Sequence, residues 1–209
     1  EGSREKADFI RGLKDELRNR SIPMTSLKDT VTTPSLSAAI RPGYENIFIP
    51  TSGSNVALIK LLPHLSLTVR QHPETECHLF GYPEWQTYTK DHLEAFFELD
   101  TYIYSSFYTN NLLPAAVRFT NSYRRWFAKD MEERYPKYGM LGFDTGYYFL
   151  KGLSQYGNKF EEHLPGFQTH PIQTGFKFQR VNNWGGFINR KVFFVRFSKN
   201  YEVVKLDFD

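Results

Sequence analysis

Three apolar runs too short for helices, Asn46 to Ile49, Cys77 to Phe80 and Thr101 to Tyr104, alternate with two helix-length segments. In the first of these, Asn55 to Leu67, Val56, Leu58, Ile59, Leu61 and Leu62 recur at helical spacing; the second runs from Thr89 to Phe97. Parallel strands need long crossovers, which helices supply, so the alternation predicts a βαβαβ unit. The expected fold is α/β: a three-layer α/β/α lobe with a mainly parallel sheet, helices on both faces, and a C-terminal antiparallel β-hairpin.

The flanks extend this plan. Ser3 to Arg20 places Phe9, Ile10, Leu13 and Leu17 on one face of a helix, with Ser3 as its N-cap and Arg18 and Arg20 suited to the C-terminal end of the dipole. Pro23 ends it, Met24 to Asp29 has room for a strand, and Leu36 to Ile40 reads as a short helix. A long helix is expected from Leu113 to Tyr135, stopped by Pro136; another begins around Gly142 and ends near Gly157, with Asp144 or Thr145 as its N-cap. From Gln168 the period changes to that of strands: Gly175 to Arg180, Gly186 to Arg190, Val192 to Phe197 and Tyr201 to Phe208, the last two joined across Ser198-Lys199-Asn200. The expected division is a ligand-binding lobe over residues 1–107, a helical segment over 108–160 and returning strands over 161–209.

In a parallel sheet the loops after the carboxyl ends of the strands form the ligand edge. Here they bring Thr51, Ser52, Ser54, Tyr82, Glu84, Trp85 and Ser105 towards one another. Two readings compete at each charged or polar position. Ser52 or Ser54 caps the following helix, or both join the free N–H groups there to hold an anion or carboxylate. Glu84 is an acid favoured by a helix start, or it pairs with an ammonium or a sugar hydroxyl beside Tyr82 and Trp85.

Composition removes several classes. The 26 basic and 23 acidic residues are well mixed and net only +3, so no nucleic-acid stripe or polybasic membrane patch is indicated. Cys77 is the single cysteine, which excludes an intramolecular disulfide and any multi-cysteine metal site. No run approaches the ~18 apolar residues of a membrane span. The six histidines never fall four apart on a helix with a Glu, Ser52-Gly53-Ser54 lacks the glycines of a nucleophile elbow, and no Walker lysine is present. The expectation is a protein that is not an enzyme and takes no metal or cofactor. The opening Glu-Gly-Ser-Arg-Glu-Lys has no initiator Met and leads straight into helix pattern, as in a fragment of a longer chain.

Leu79-Phe80-Gly81-Tyr82-Pro83-Glu84-Trp85 and Tyr138-Gly139-Met140-Leu141-Gly142-Phe143-Asp144-Thr145-Gly146, with Asn46-Ile47-Phe48-Ile49-Pro50, resemble the type I periplasmic binding protein superfamily, and more narrowly its leucine/isoleucine/valine-binding branch and receptor-like relatives. The run Trp184-Gly185-Gly186-Phe187-Ile188-Asn189-Arg190 is similar to a family of bacterial envelope proteins that join LysM repeats to a receptor-like domain, although no LysM repeat lies within these residues. The resemblance implies that a loop acid after the Phe-x-Gly strand reaches a ligand's amino group, with Pro83 inserted before Glu84. It also implies two lobes, so the helices from Leu113 to Gly157 belong to a lobe whose strands would precede residue 1, unless the protein is one-lobed.

The favoured function is a non-enzymatic ligand-binding or sensing domain of the periplasm or cell envelope that takes a small polar ligand, an amino acid or a cell-wall fragment. Contact with peptidoglycan would run through a domain outside this chain. The alternatives are an interaction module of the envelope that has lost its pocket, and a sugar-phosphate-binding domain using the Thr51 to Ser54 turn. A homo-oligomer is a further expectation, because the aromatic helices need a cover.

Overall fold

In the computed structural model of the chain, residues 4–27 and 31–208 are described. They fall into two compact units, Glu1–Tyr104 with Val195–Val204, and Ser105–Phe194 with Lys205–Asp209. The structure is mixed α/β, as the alternation of patterns predicts.

In the first unit the expected elements appear with small changes of boundary: α1 (Arg4–Asn19), α2 (Thr33–Ala39), β1 (Asn46–Phe48), α3 (Asn55–Gln71), β2 (Cys77–Gly81), α4 (Thr89–Glu98) and β3 (Thr101–Ser105). Strands β1 and β2 pair in parallel, with Asn46 opposite Cys77, and β2 pairs in parallel with β3, with Phe80 opposite Tyr102. Two later strands, β6 (Phe193–Phe197) and β7 (Val203–Leu206), complete a sheet of order β1-β2-β3-β6-β7. The central strands alternate. Leu79, Ile103 and Val195 are fully buried, while His78, Phe80, Tyr102 and Tyr104 are half-buried. Phe197 meets Phe96 and Phe97 of α4 at ring distances of 5.5 and 5.9 Å. Against Tyr104, Phe9 of α1 stacks at 5.4 Å and Phe80 at 5.9 Å.

Not every expected element is present. Residues Met24 to Leu27 form no strand and are exposed; the rest of that expected segment, and the Ser3 cap, lie outside the described residues.

The largest corrections fall in the second unit. The long helix expected to reach Tyr135 ends at Phe127, as α5 (Pro114–Phe127). Ala128 closes it in a left-handed conformation, φ +53°, donating its N–H to Arg124 O. Beyond it Lys129-Asp130-Met131-Glu132-Glu133 offers only Met131 to bury, so nothing holds a further helical turn, and Asp130 turns back to pair with Arg124.

Helix α6 (Tyr138–Tyr156) starts before the expected point. Asp144 is therefore not an N-cap. It lies inside the helix in a buried row with Met140, Tyr148 and Gly152, each four residues from the next. Its carboxylate accepts three backbone N–H groups from one extended segment: Ile172 at 2.8 Å, Gln173 at 2.8 Å and Thr174 at 2.9 Å. That segment in turn holds the stretch after β3, where Tyr108 N donates to Gln173 O at 3.0 Å and Gly175 N to Ser106 O at 3.2 Å. An acid buried by this helix is tolerated because three donors solvate it.

Around Tyr148 lies an aromatic core with Phe160, Leu164 and Phe167, joined by Tyr156, Phe176, Phe178 and Phe187. Gly152 is required there: a Cβ would come within 2.1 Å of the Phe160 ring. The expected strands from Gly175 and Gly186 shorten to β4 (Phe178–Arg180) and β5 (Phe187–Asn189), which pair antiparallel as a separate two-stranded sheet.

Replacing Asp144 by Ala strands two buried donors and one half-buried one, and a hydrogen bond to a charged group contributes ~1.5–3 kcal/mol. The loss of unfolding free energy measured in urea is expected to be about 3 kcal/mol or more. A loss of about 1 kcal/mol, the size of a lost helix cap, would contradict this account. The tyrosines add a pH dependence. Burial pushes Tyr148 up to about 12 and raises Tyr82, Tyr102 and Tyr108. Raised values mean stability that is complete below the free-phenol value of ~10 and lost as pH rises through the folded values. Urea midpoints should therefore be flat towards pH 9 and fall from about pH 10 upwards, with the last part of the tyrosinate absorbance, that of the buried rings, rising in step with unfolding. Ionisation of all 13 tyrosines at the free-phenol value in the folded protein would show these rings to be exposed.

Candidate functional site

The parallel topology carries the loops after β1 and β2 to one edge, where Tyr82, Glu84 and Trp85 meet the stretch from Pro50 to Gly53. Their contacts, however, are largely with their own chain. The loop after β2 begins with Tyr82, fully buried, whose hydroxyl donates to Pro50 O at 2.5 Å. Burial, then the neighbouring Tyr104 and Glu84, raise its pKa, so the phenol stays protonated and keeps donating. A single 3₁₀ turn over Pro83–Thr87 brings Trp85 inward. Its indole is fully buried, stacks on Phe96 at 5.7 Å and donates its N–H to Gly53 O at 3.1 Å.

Two glycines make room for these side chains. A Cβ on Gly81 would lie 2.0 Å from the indole, and one on Gly53 would lie 2.1 Å from Glu84 Oε1. The glycine that ends β2 thus has a packing reason: the strand can end against its own tryptophan only if residue 81 lacks a side chain.

Glu84 does face a cation, but the cation belongs to the protein. Lys6 of α1 sits 2.7 Å from Glu84 Oε1 with 9% of its side chain exposed, and its ammonium lies 4.5 Å from the centre of the Tyr82 ring. Carboxylate and aromatic face together stabilise an ammonium that burial would otherwise disfavour. Phe9, one turn further along α1, meets Tyr82 edge-on at 5.8 Å. The start of α1 is thereby fixed over the loops that follow the strands.

The small polar residues have local roles. Ser54 is the N-cap of α3, accepting from Ala57 N at 3.2 Å. Ser52 donates to the Ser54 hydroxyl at 3.1 Å and accepts from Ser54 N at 3.3 Å. Thr51 is exposed and borders a shallow open hollow beside α1, which Lys6, Ile10, Arg11, Lys14 and Arg18 also line. Ser105 belongs to the second unit. It is buried, donates to Phe107 O at 2.8 Å and accepts from Phe107 N at 3.2 Å.

Sequence reasoning missed Lys6, because a lysine near the start of an amphipathic helix reads as part of its solvated face. It also missed a polar cluster at the opposite ends of the strands. There Asp100, at φ +45° and with 3% of its side chain exposed, accepts from Nε and Nη2 of Arg196, each at 2.8 Å. His78 lies between two acids, Nε2 at 3.0 Å from Glu45 and Nδ1 at 2.8 Å from Asp100 Oδ2 but out of line for a hydrogen bond. Tyr102 completes the group, with its ring 5.3 Å from the Arg196 guanidinium. Asp100 is committed to Arg196, so the cluster ties β2, β3 and β6 together. Cys77 is buried, and desolvation raises its pKa, which suppresses the thiolate. Among the described residues no group of three or more His, Cys, Asp or Glu is placed to hold a metal ion, and no helix is long and apolar enough to cross a membrane.

Comparison with known proteins adds no family: no family model matches the chain, and a search of curated proteins finds no match.

Close packing at this edge has a direct test. Gly81→Ala forces the indole to move, and overpacking of this kind costs about 1–3 kcal/mol. Gly12→Ala in α1, where a Cβ meets nothing within 4 Å, is expected to be neutral or stabilising by up to ~1 kcal/mol. Equal melting behaviour of the two variants would contradict the packing described.

Proposed function

We propose that this chain is a non-enzymatic interaction module of the bacterial cell envelope, built on the plan of an amino-acid-binding lobe whose ligand edge is filled by the chain itself. The observation that supports this reading is the ammonium of Lys6, 2.7 Å from Glu84 and over the face of Tyr82. It occupies the position in which a ligand's amino group would be neutralised. Tyr82 and Trp85 are spent on backbone carbonyls of the loop after β1, and Ser54 on its helix cap. Placement in the envelope, and any link to peptidoglycan through LysM repeats elsewhere, rest on the resemblance of the sequence motifs.

The finer architecture belongs to the same proposal. The five-stranded sheet is the middle layer of an α/β/α lobe, and β6 and β7 form its C-terminal antiparallel hairpin. In support, Ser198 N donates to Glu202 O at 2.9 Å and Tyr201 N to Ser198 O at 2.9 Å, closing a tight turn between the two neighbouring strands.

A ligand-sensing role is the second reading, favoured by the chemistry of the Lys6 position: whatever displaced that side chain would find a carboxylate and an aromatic face ready for an ammonium. A thermal-shift screen against amino acids, muropeptides and sugar phosphates separates the two. The interaction-module reading predicts no shift for the wild type, whereas a ligand at 100 times its Kd stabilises by ~2.7 kcal/mol. Wild-type stabilisation by any amino acid or muropeptide would overturn it. Stabilisation by amino compounds only after Lys6→Met would favour sensing gated by α1, and a response confined to sugar phosphates would point to the Thr51 to Ser54 turn.

A further inference from the structure

Helices α5 and α6 show an apolar face that the rest of their unit does not cover. Of the fourteen residues of α5 only Ala116 is buried. Five rings run in contact across the two helices: Phe127 to Tyr123 at 4.7 Å, Tyr123 to Phe119 at 6.4 Å, Phe119 to Phe143 at 5.1 Å and Phe143 to Tyr147 at 6.0 Å. Leu150, one turn beyond Tyr147, is 70% exposed, and Trp126, beside Phe127, is 82% exposed. With ~150–250 Å² for each large side chain, and with Phe127 60% and Phe143 and Tyr147 each 47% exposed, the face leaves roughly 700 Å² of apolar surface in water. The largest patch on a typical monomer is ~300–600 Å², whereas one side of a standard stable interface is ~800 Å².

The same face holds both projections and gaps. On α6, Gly142 and Gly146 lie opposite the buried row of Met140, Asp144 and Tyr148, and a Cβ added to either would meet nothing within 4 Å. A two-fold interface requires one patch to fit itself, so that each projection finds a gap on the same surface of its partner. Leu150 and Tyr147 supply the projections, and the two glycines one and two turns away supply the gap. At the margin Arg124 is paired with Asp130 and the Lys151 ammonium rests 5.8 Å from the Tyr147 ring, while Arg118 and Arg125 of α5 are exposed.

We propose that a second copy of this chain covers the α5–α6 face, the two α6 helices crossing about a two-fold axis near Gly142 and Gly146. This inference uses the helices of the second unit alone and is independent of the reading of the strand-end loops. The test is the mass of the full chain in solution by sedimentation equilibrium, for the wild type, Leu150→Glu and Gly146→Leu. Both substitutions are at positions with open space in the single chain, and the second replaces a residue of poor helix propensity, so neither should unfold it. The wild type is expected at twice the 24.5 kDa of one copy, and both variants at a single copy that stays folded, with a melting temperature that no longer rises with protein concentration. A wild type that stays monomeric across the concentration range would overturn the proposal and leave the face to a different partner. Dimers that persist in both variants, or growth beyond two copies, would overturn it equally.

Discussion

A buried indole needs a hydrogen-bond acceptor and a space of its own size, and meeting both needs for Trp85 shapes the edge of the sheet. The acceptor is a carbonyl of the neighbouring loop, Gly53 O, which draws the loops after β1 and β2 together. The space comes from Gly81, at the end of β2, where any side chain would overlap the ring. Once the indole is in place, Tyr82 is turned towards Pro50 O and Glu84 passes over Gly53. The acid then lies where it meets Lys6 of α1, whose ammonium is the more buried of the two and needs the carboxylate. Each step follows from the preceding one by packing or by the cost of leaving a buried polar group alone.

The second unit solves a similar problem with an acid instead of an indole. Asp144 is buried, and three consecutive backbone N–H groups at residues 172–174 make that burial tolerable. The carboxylate thus takes the place of backbone acceptors for this extended segment, which bridges to Phe107 through Thr174. Gln173 adds to it through its side chain, accepting from Lys137 N at 2.9 Å and so tying the start of α6 to the same segment. Tyr148, one turn along from Asp144, carries the hydrophobic half of the arrangement into the cluster of Phe160 and Phe167.

Much of this was legible in the sequence wherever the signal is local. Strand-helix alternation gave β1, β2 and β3 within a residue or two, and their parallel pairing followed from the length of the crossovers. Ser54 as a cap is among the readings of its turn, whereas Glu84 reads as a helix-start acid or a partner for a ligand, and its partner is the chain's own Lys6. What escaped was set by contacts between distant positions. An aspartate followed by Thr-Gly looks like a helix start, and only the distant 172–174 segment makes it an interior acid. The end of α5 was misplaced because Pro136 is a strong stop signal, whereas the left-handed Ala128 has no mark in composition. Lys6 escaped for the same reason: its partner is in a loop far along the chain, and helical periodicity says nothing about it.

The functional account therefore turns on whether the charge of Lys6 is used by Glu84 in the folded protein. A double-mutant cycle of Lys6→Met and Glu84→Gln, read by urea denaturation, isolates that interaction from the separate effects of each change. For a contacting pair of which one member is largely buried, the account predicts a coupling of about 1 kcal/mol or more, within the ~0.5–3 kcal/mol found for residues in contact. Additive effects, agreeing to within ~0.3 kcal/mol, would show that the two residues do not depend on one another, and the strand edge would have to be regarded as open to an external cation.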